Sequence, residues 1–120
     1  MAEVLFDVKQ GRRTYTANAA LTTGMLVIPG STADQVGPAA ATGPICMVAL
    51  TDAANGALVE VMPITRGAEY RFLSSGNIAA GEEVEFSTTT GKVKVFASGT
   101  KVGRAQEAAA ANGLVKVIAY

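Results

Sequence analysis

Leu21-x-x-Gly24-x-x-Val27 returns 57 residues later as Ile78-x-x-Gly81-x-x-Val84. The run Ala53-Ala54-Asn55-Gly56-Ala57-Leu58-Val59-Glu60-Val61 returns as Ala110-Ala111-Asn112-Gly113-Leu114-Val115-Lys116-Val117, at an offset of 57 in the Asn-Gly pair and 56 in the strand after it. Ala49 and Ala105 match shortly before these turns. Gly and Asn-Gly turn signals recur in any small β protein. Three blocks in one order at nearly constant spacing point instead to an internal duplication. Two copies are too few for a solenoid, so the expected result is two interlocked halves of one small barrel or sandwich with pseudo-twofold symmetry.

The local pattern inside each half is β. Leu58-Val59-Glu60-Val61-Met62, Val84-Glu85-Phe86-Ser87, Val93-Lys94-Val95-Phe96 and Val115-Lys116-Val117-Ile118-Ala119-Tyr120 alternate with period two and are bounded by turn residues. Met25-Leu26-Val27-Ile28 is continuously apolar and stops at Pro29-Gly30, as a strand buried on both faces would. Ser87 to Lys92 reads as a hairpin loop with Gly91 at a positive-φ position. The Ala-rich run Ala105 to Gly113 is too short for a stable isolated helix, so it predicts one or two helical turns or an ordered loop. The stretch Gly30 to Pro44, rich in Gly, Pro, Ala and Thr, predicts a surface excursion between strands. The expected fold is all-β: a small β-barrel or sandwich of two duplicated halves with at most one short helix. Residues 1–15 form an N-terminal arm or edge strand in this reading. Residues 16–120 form a single β domain with similar halves at about 18–66 and 75–120.

Composition narrows the function. Ten Lys+Arg balance ten Asp+Glu, and no basic stripe is present, so no direct nucleic-acid partner is expected. No stretch approaches the roughly 20 apolar residues of a membrane span, and the N-terminus lacks a basic flank and a signal-length apolar run. A soluble chain made in the cytoplasm, with no membrane partner, is the expectation. Of 120 residues 22 are Ala and 13 are Gly, which leaves little bulky core material and suggests a domain that leans on neighbours.

The reactive residues are sparse. Without His there is no Ser-His-Asp or Cys-His pair, and the commonest zinc ligand is missing. Cys46 lies in the apolar run Pro44 to Leu50 with no flanking base, the setting of a buried, inert thiol. Neither Gly91-Lys92 nor Gly99-Thr100-Lys101 completes a phosphate-binding loop, which argues against an ATP-driven recombinase or motor. Glu82-Glu83-x-Glu85 lacks the shaped loop of a cation site and reads as a solvated strand face or an acidic contact for a partner's Arg. No catalytic residue, cofactor or metal is expected. The segment Glu3 to Gln10 lies outside both halves and has strand-forming residues. It is either an ordinary edge strand or an arm that adds to a neighbour's sheet. Arg12-Arg13 after it is either a solvated turn or an ion-pairing anchor.

The chain resembles the small head-decoration, or capsid cement, proteins of tailed bacteriophages. The likeness is carried by Leu21-x-x-Gly24-Met25-x-Val27, Pro44-Ile45-x-x-Val48-Ala49-Leu50-x-Asp52-Ala53 and Gly56-x-x-Val59-x-Val61. It continues through Ile78-x-x-Gly81-x-x-Val84, Lys101-Val102-Gly103-x-Ala105 and Gly113-x-Val115-x-Val117. It departs at Arg66-Gly67-Ala68-Glu69-Tyr70-Arg71, where that family often has an apolar stretch leading to Lys. The resemblance implies a non-enzymatic virion protein on the exterior of the expanded capsid, assembled there from the host cytoplasm. Such proteins clamp capsid subunits against internal DNA pressure, and many symmetric copies multiply modest contacts by avidity. The implied partners are the major capsid protein and the chain itself, as a homotrimer first and a dimer second. The expected capsid contact is Val4, Phe6, Arg12 and Arg13, with the Gly30–Pro44 stretch second. The alternative is a small carbohydrate- or ligand-binding β module, for which Tyr15, Tyr70 and Tyr120 are widely scattered in sequence.

Overall fold

A computed structural model describes residues 11–39, 47–87 and 91–120. Within them run β1 (Arg13–Ala17), β2 (Leu26–Pro29), β3 (Gln35–Pro38), β4 (Met47–Ala49) and β5 (Leu58–Pro63). The second half holds β6 (Glu69–Leu73), β7 (Glu83–Phe86), β8 (Val93–Val95), β9 (Lys101–Ala105) and β10 (Leu114–Ala119). The fold is all-β, with no helix among the described residues.

Each half makes its own sheet. The first five strands close into a barrel in the order β1-β3-β2-β4-β5, with β1 antiparallel to β5 and parallel to β3. The second five follow the order β6-β10-β9-β7-β8. Strand for strand this is the same circuit, and its closure is reduced to a single parallel bridge, Ser74 to Val93. The expected interlocking of the two halves in one barrel or sandwich is therefore corrected: each half forms its own sheet.

The correspondence extends to individual bonds. Gly24 and Gly81, both at positive φ, donate to Ala49 and Ala105 at 2.8 Å. The bridge from Leu21 to Ala53 has its counterpart in that from Ile78 to Ala109. The turn bonds from Ala57 to Ala54 and from Gly113 to Ala110 correspond at an offset of 56. The left-handed residue is accordingly Gly56 in one turn and Asn112 in the other. The two Asn-Gly pairs thus match in letters one residue away from where they match in space, because Asn and Gly both tolerate that conformation.

Two cores result, and β2 serves both. Val27 points into the first barrel with Leu21, Val36, Met47, Ala49, Val59 and Val61. Leu26, on the opposite face, joins the second core with Val48, Phe72, Phe86, Val93 and Val115. This is the strand buried on both faces that the Met25–Ile28 run predicts.

Of two other expectations, one resolves between its stated alternatives and one changes. The Ala-rich run is an ordered loop: Ala109 exchanges both backbone bonds with Ile78, at 2.9 Å each, so its polar groups are satisfied without a helical turn. The Gly30 to Pro44 stretch contains β3, a full member of the barrel, with Val36 and Gly37 buried. A Cβ on Gly37 would collide with the Asn18 side chain, so this low-complexity sequence supplies a tight packing position. Residues 88–90 of the β7–β8 hairpin and Cys46 lie outside the described residues. Gly91 in that hairpin has positive φ.

Candidate functional site

The first candidate surface follows β1. Val4 and Phe6 lie outside the described residues. Arg12 immediately precedes β1 and reaches Glu60 on β5, with Nη1 to Oε1 at 3.3 Å. Both side chains remain well exposed, so solvent screens the pair and leaves Arg12 available to a partner. Arg13 opens β1 opposite Val61 and is half-buried. Arg12, Arg13, Thr14, Tyr15 and Asp34 line a polar groove. An adjoining groove of about 350 Å³ includes Tyr15, Pro29, Asp34, Val36 and Met47 in its walls.

The second surface lies on β7 and β9. Glu83 accepts a hydrogen bond from the Tyr120 hydroxyl at 2.5 Å and faces Lys101 at 3.3 Å and Arg104 at 3.8 Å. The tyrosine hydrogen bond, then the Lys101 amine, holds the Glu83 carboxyl below its ordinary range. The same bond raises the Tyr120 phenol above its ordinary value. These contacts make an ionic patch in which the Glu83 carboxylate is engaged by three side chains.

Glu85 departs from the expected solvated face. It is buried, and the Ala97, Ser98 and Gly99 amides donate to its carboxylate at 2.7, 3.3 and 2.5 Å. Those bonds, Ala97 foremost, lower its pKa against the opposing pull of burial. The register between β7 and β9 shifts between Val84 and Glu85. The carboxylate caps a turn and is used up structurally.

Comparison of equivalent positions shows what distinguishes the two halves. On the outer face of the first barrel Leu26 pairs with Val48, and both are buried in the second core. At the same place in the second sheet Glu83 pairs with Arg104. An apolar outer face joins the halves, and a charged one ends the array. Sequence reasoning grouped the glutamates but did not align them with Met25–Ile28, the comparison that exposes this difference.

Another feature missed from sequence is Leu58, which opens β5 and is 69% exposed. Its counterpart Leu114 lies over Gly24 at the contact between the halves. Read as one member of an alternating strand, Leu58 gives no sign of this exposure.

The tyrosines form no common platform among the described residues. Tyr70 stacks on buried Phe72, and its hydroxyl is engaged by Thr65 and Pro63. Tyr120 is bound to Glu83. The described residues contain no cluster of three His, Cys, Asp or Glu suited to a metal, and no helix long and apolar enough to cross a membrane.

A family model described as phage cement protein matches residues 8–119, a span that includes both β units. No curated protein matches the chain. Among solved structures, the head fiber gp8.5 N base of bacteriophage phi29 is similar, with a TM-score of 0.72 at 20% identity, over 91% of this chain and 92% of that one. That likeness is one of fold.

Proposed function

Since the chain belongs to the phage cement protein family, and is thereby a capsid-associated structural protein, we propose that it binds the outside of the expanded head and stabilises it against internal DNA pressure. The family match across both halves carries this reading. The major capsid protein is the partner, and copies associate as homotrimers on the shell. Assembly takes place in the host cytoplasm, with no enzymatic step. Val4, Phe6, Arg12 and Arg13 make the capsid contact in this account; the exposure of Arg12 supports its share. Each contact is modest, and simultaneous engagement of many sites on a rigid shell supplies the affinity.

Sedimentation of the purified protein with expanded and unexpanded heads tests the proposal. The protein should pellet with expanded heads at a fixed copy number and remain in solution with unexpanded ones. Deleting residues 2–10 should leave a folded domain whose occupancy falls. Unchanged occupancy after that deletion removes Val4 and Phe6 from the contact, and failure to bind any head refutes the capsid reading.

A further inference from the structure

The two β units differ at one seam. In the first barrel β1 meets β3 directly: Thr16 N–H donates to Asp34 O at 2.9 Å, and Thr16 pairs with Gln35. The second sheet keeps Ser75 N–H to Val93 O at 2.9 Å, but Leu73, the counterpart of Thr16, does not bond to Gly91, and a piece of the first barrel occupies that place. Leu73 N–H donates to Gly24 O, and Leu26 N–H donates to Gly91 O, both at 2.8 Å. The segment Gly24-Met25-Leu26 therefore bridges the end of β6 and the start of the β8 arm. It replaces one backbone bond with two.

Three features of that docking recur, unfilled, on the first barrel. Leu114 covers Gly24, whereas Leu58 at the equivalent place is 69% exposed and covers no glycine among the described residues. Leu26 enters a core with Phe72, Phe86 and Val93. The residues equivalent to those three are Tyr15, Pro29 and Val36, which line the open groove of about 350 Å³. Gly91, which packs against Met25, corresponds to exposed Asp34, and both have positive φ.

We infer that the β1–β3 seam of the first barrel, with Leu58 and the Tyr15–Val36 groove beside it, receives a Gly-x-apolar segment of a capsid subunit in which, as at Gly24-Met25-Leu26, a turn glycine leads into a strand. This occupant rests on the capsid-binding reading. The glycine lies under Leu58, the apolar residue enters the groove, and the backbone takes over the Thr16 and Asp34 groups, a form of strand addition. A second copy of this chain does not meet the requirement. Its equivalent segment is Gly81-Glu82-Glu83, whose Gly81 carbonyl already accepts from Arg104 at 2.8 Å, and which would set Glu82 against Asp34 and bury Glu83 beside Tyr15 and Val36. Its apolar segment Gly24-Met25-Leu26 is already held inside its own second sheet.

Two measurements on the full chain test the inference. The first compares Leu58→Asp with wild type for binding to expanded heads. Because Leu58 is exposed, the melting temperature should stay within about 2 °C of wild type, with occupancy at least about tenfold lower at limiting protein. Equal occupancy at equal stability overturns the inference. If heads bind neither protein, the capsid reading falls and the capsid occupant with it. The second measurement decides the seam itself: a peptide with the sequence of residues 22–28 is titrated into isotopically labelled protein. Amide shifts should appear at Thr16, Gln35 and Leu58, and a peptide with Glu in place of Leu26 should give none. No shift at those amides with the parent peptide rules out a receptive seam.

Discussion

Gly24 and Gly81 allow the contact between the halves to be weighed against local backbone strain. Both are at positive φ, 91° and 87°, and both donate the same hydrogen bond, at 2.8 Å, to an alanine carbonyl. Alanine at either position incurs the left-handed penalty, roughly 1–2 kcal/mol. At Gly81 the added methyl meets open space. At Gly24 it meets the Leu114 side chain, with Leu73 N at 3.0 Å and Arg71 O at 3.3 Å. The leucine tip can swing aside, but the two backbone atoms belong to β6, and Leu73 N is bonded to Gly24 itself. Overpacking of this kind adds about 1–3 kcal/mol. Gly81→Ala should therefore cost about 1–2 kcal/mol, and Gly24→Ala about 2–5 kcal/mol, in urea unfolding followed by circular dichroism. With a urea slope of about 1–3 kcal/mol per molar, the Gly24 variant should unfold at a distinctly lower midpoint. If the two variants agree within about 0.5 kcal/mol, close of the order of ordinary non-additivity, the packed contact carries no stability and the reasoning fails.

Further outcomes follow from the charged residues. The carboxyls of Glu85, Glu83 and Asp52 are lowered in the folded state, by donation from the Ala97 amide, the Tyr120 hydroxyl and the Thr23 amide in turn. Their stabilising effect is complete above the unfolded carboxyl values and disappears as pH falls through the folded ones. Melting temperature should be level from pH 7 to about 5 and drop below about 4.5, with a smaller acid-dependent drop in Glu85→Gln, as scanning calorimetry can determine. Tyr120 should ionise above the ordinary value of about 10, and Glu83→Gln should move it down in an ultraviolet titration. Arg71 and Glu107 form a solvent-exposed pair at 2.8 Å, so Glu107→Ala should change stability by less than about 1 kcal/mol. Replacing Glu82, Glu83 and Arg104 with Met, Leu and Val recreates the apolar face of the first barrel; concentration-dependent association should then appear in sedimentation velocity.

The sequence discloses the strands where side chains alternate, as in β5 and β10, and discloses β2 as buried on both faces because Met25–Ile28 contains no polar residue. The repeat also reveals equivalent elements, down to Gly24 and Gly81. Whether two equivalent halves interleave or follow one another is decided by long-range pairing, which no local pattern encodes. The clue was present in a comparison across the repeat: Leu26 and Ile28 against Glu83 and Glu85. β3 stayed hidden because its composition resembles a loop, and its fit depends on the absent Cβ of Gly37 beside Asn18. Glu85 was misread because its partners are the amides of a turn twelve to fourteen residues away, where almost any side chain would serve. The first-barrel surface was only partly legible: Arg12 announces itself by charge, whereas Leu58, 69% exposed, becomes conspicuous only beside Leu114, which is 38% exposed and lies over Gly24.

The most direct test of the cement role is DNA retention by heated heads. Expanded, DNA-filled heads lacking this protein are warmed with and without a saturating amount of it, and released DNA is followed by nuclease sensitivity. The account predicts that added protein raises the temperature of release, and that the effect saturates with the number of bound copies. An unchanged release temperature at full occupancy would contradict it, because the protein would then coat the shell without bearing load.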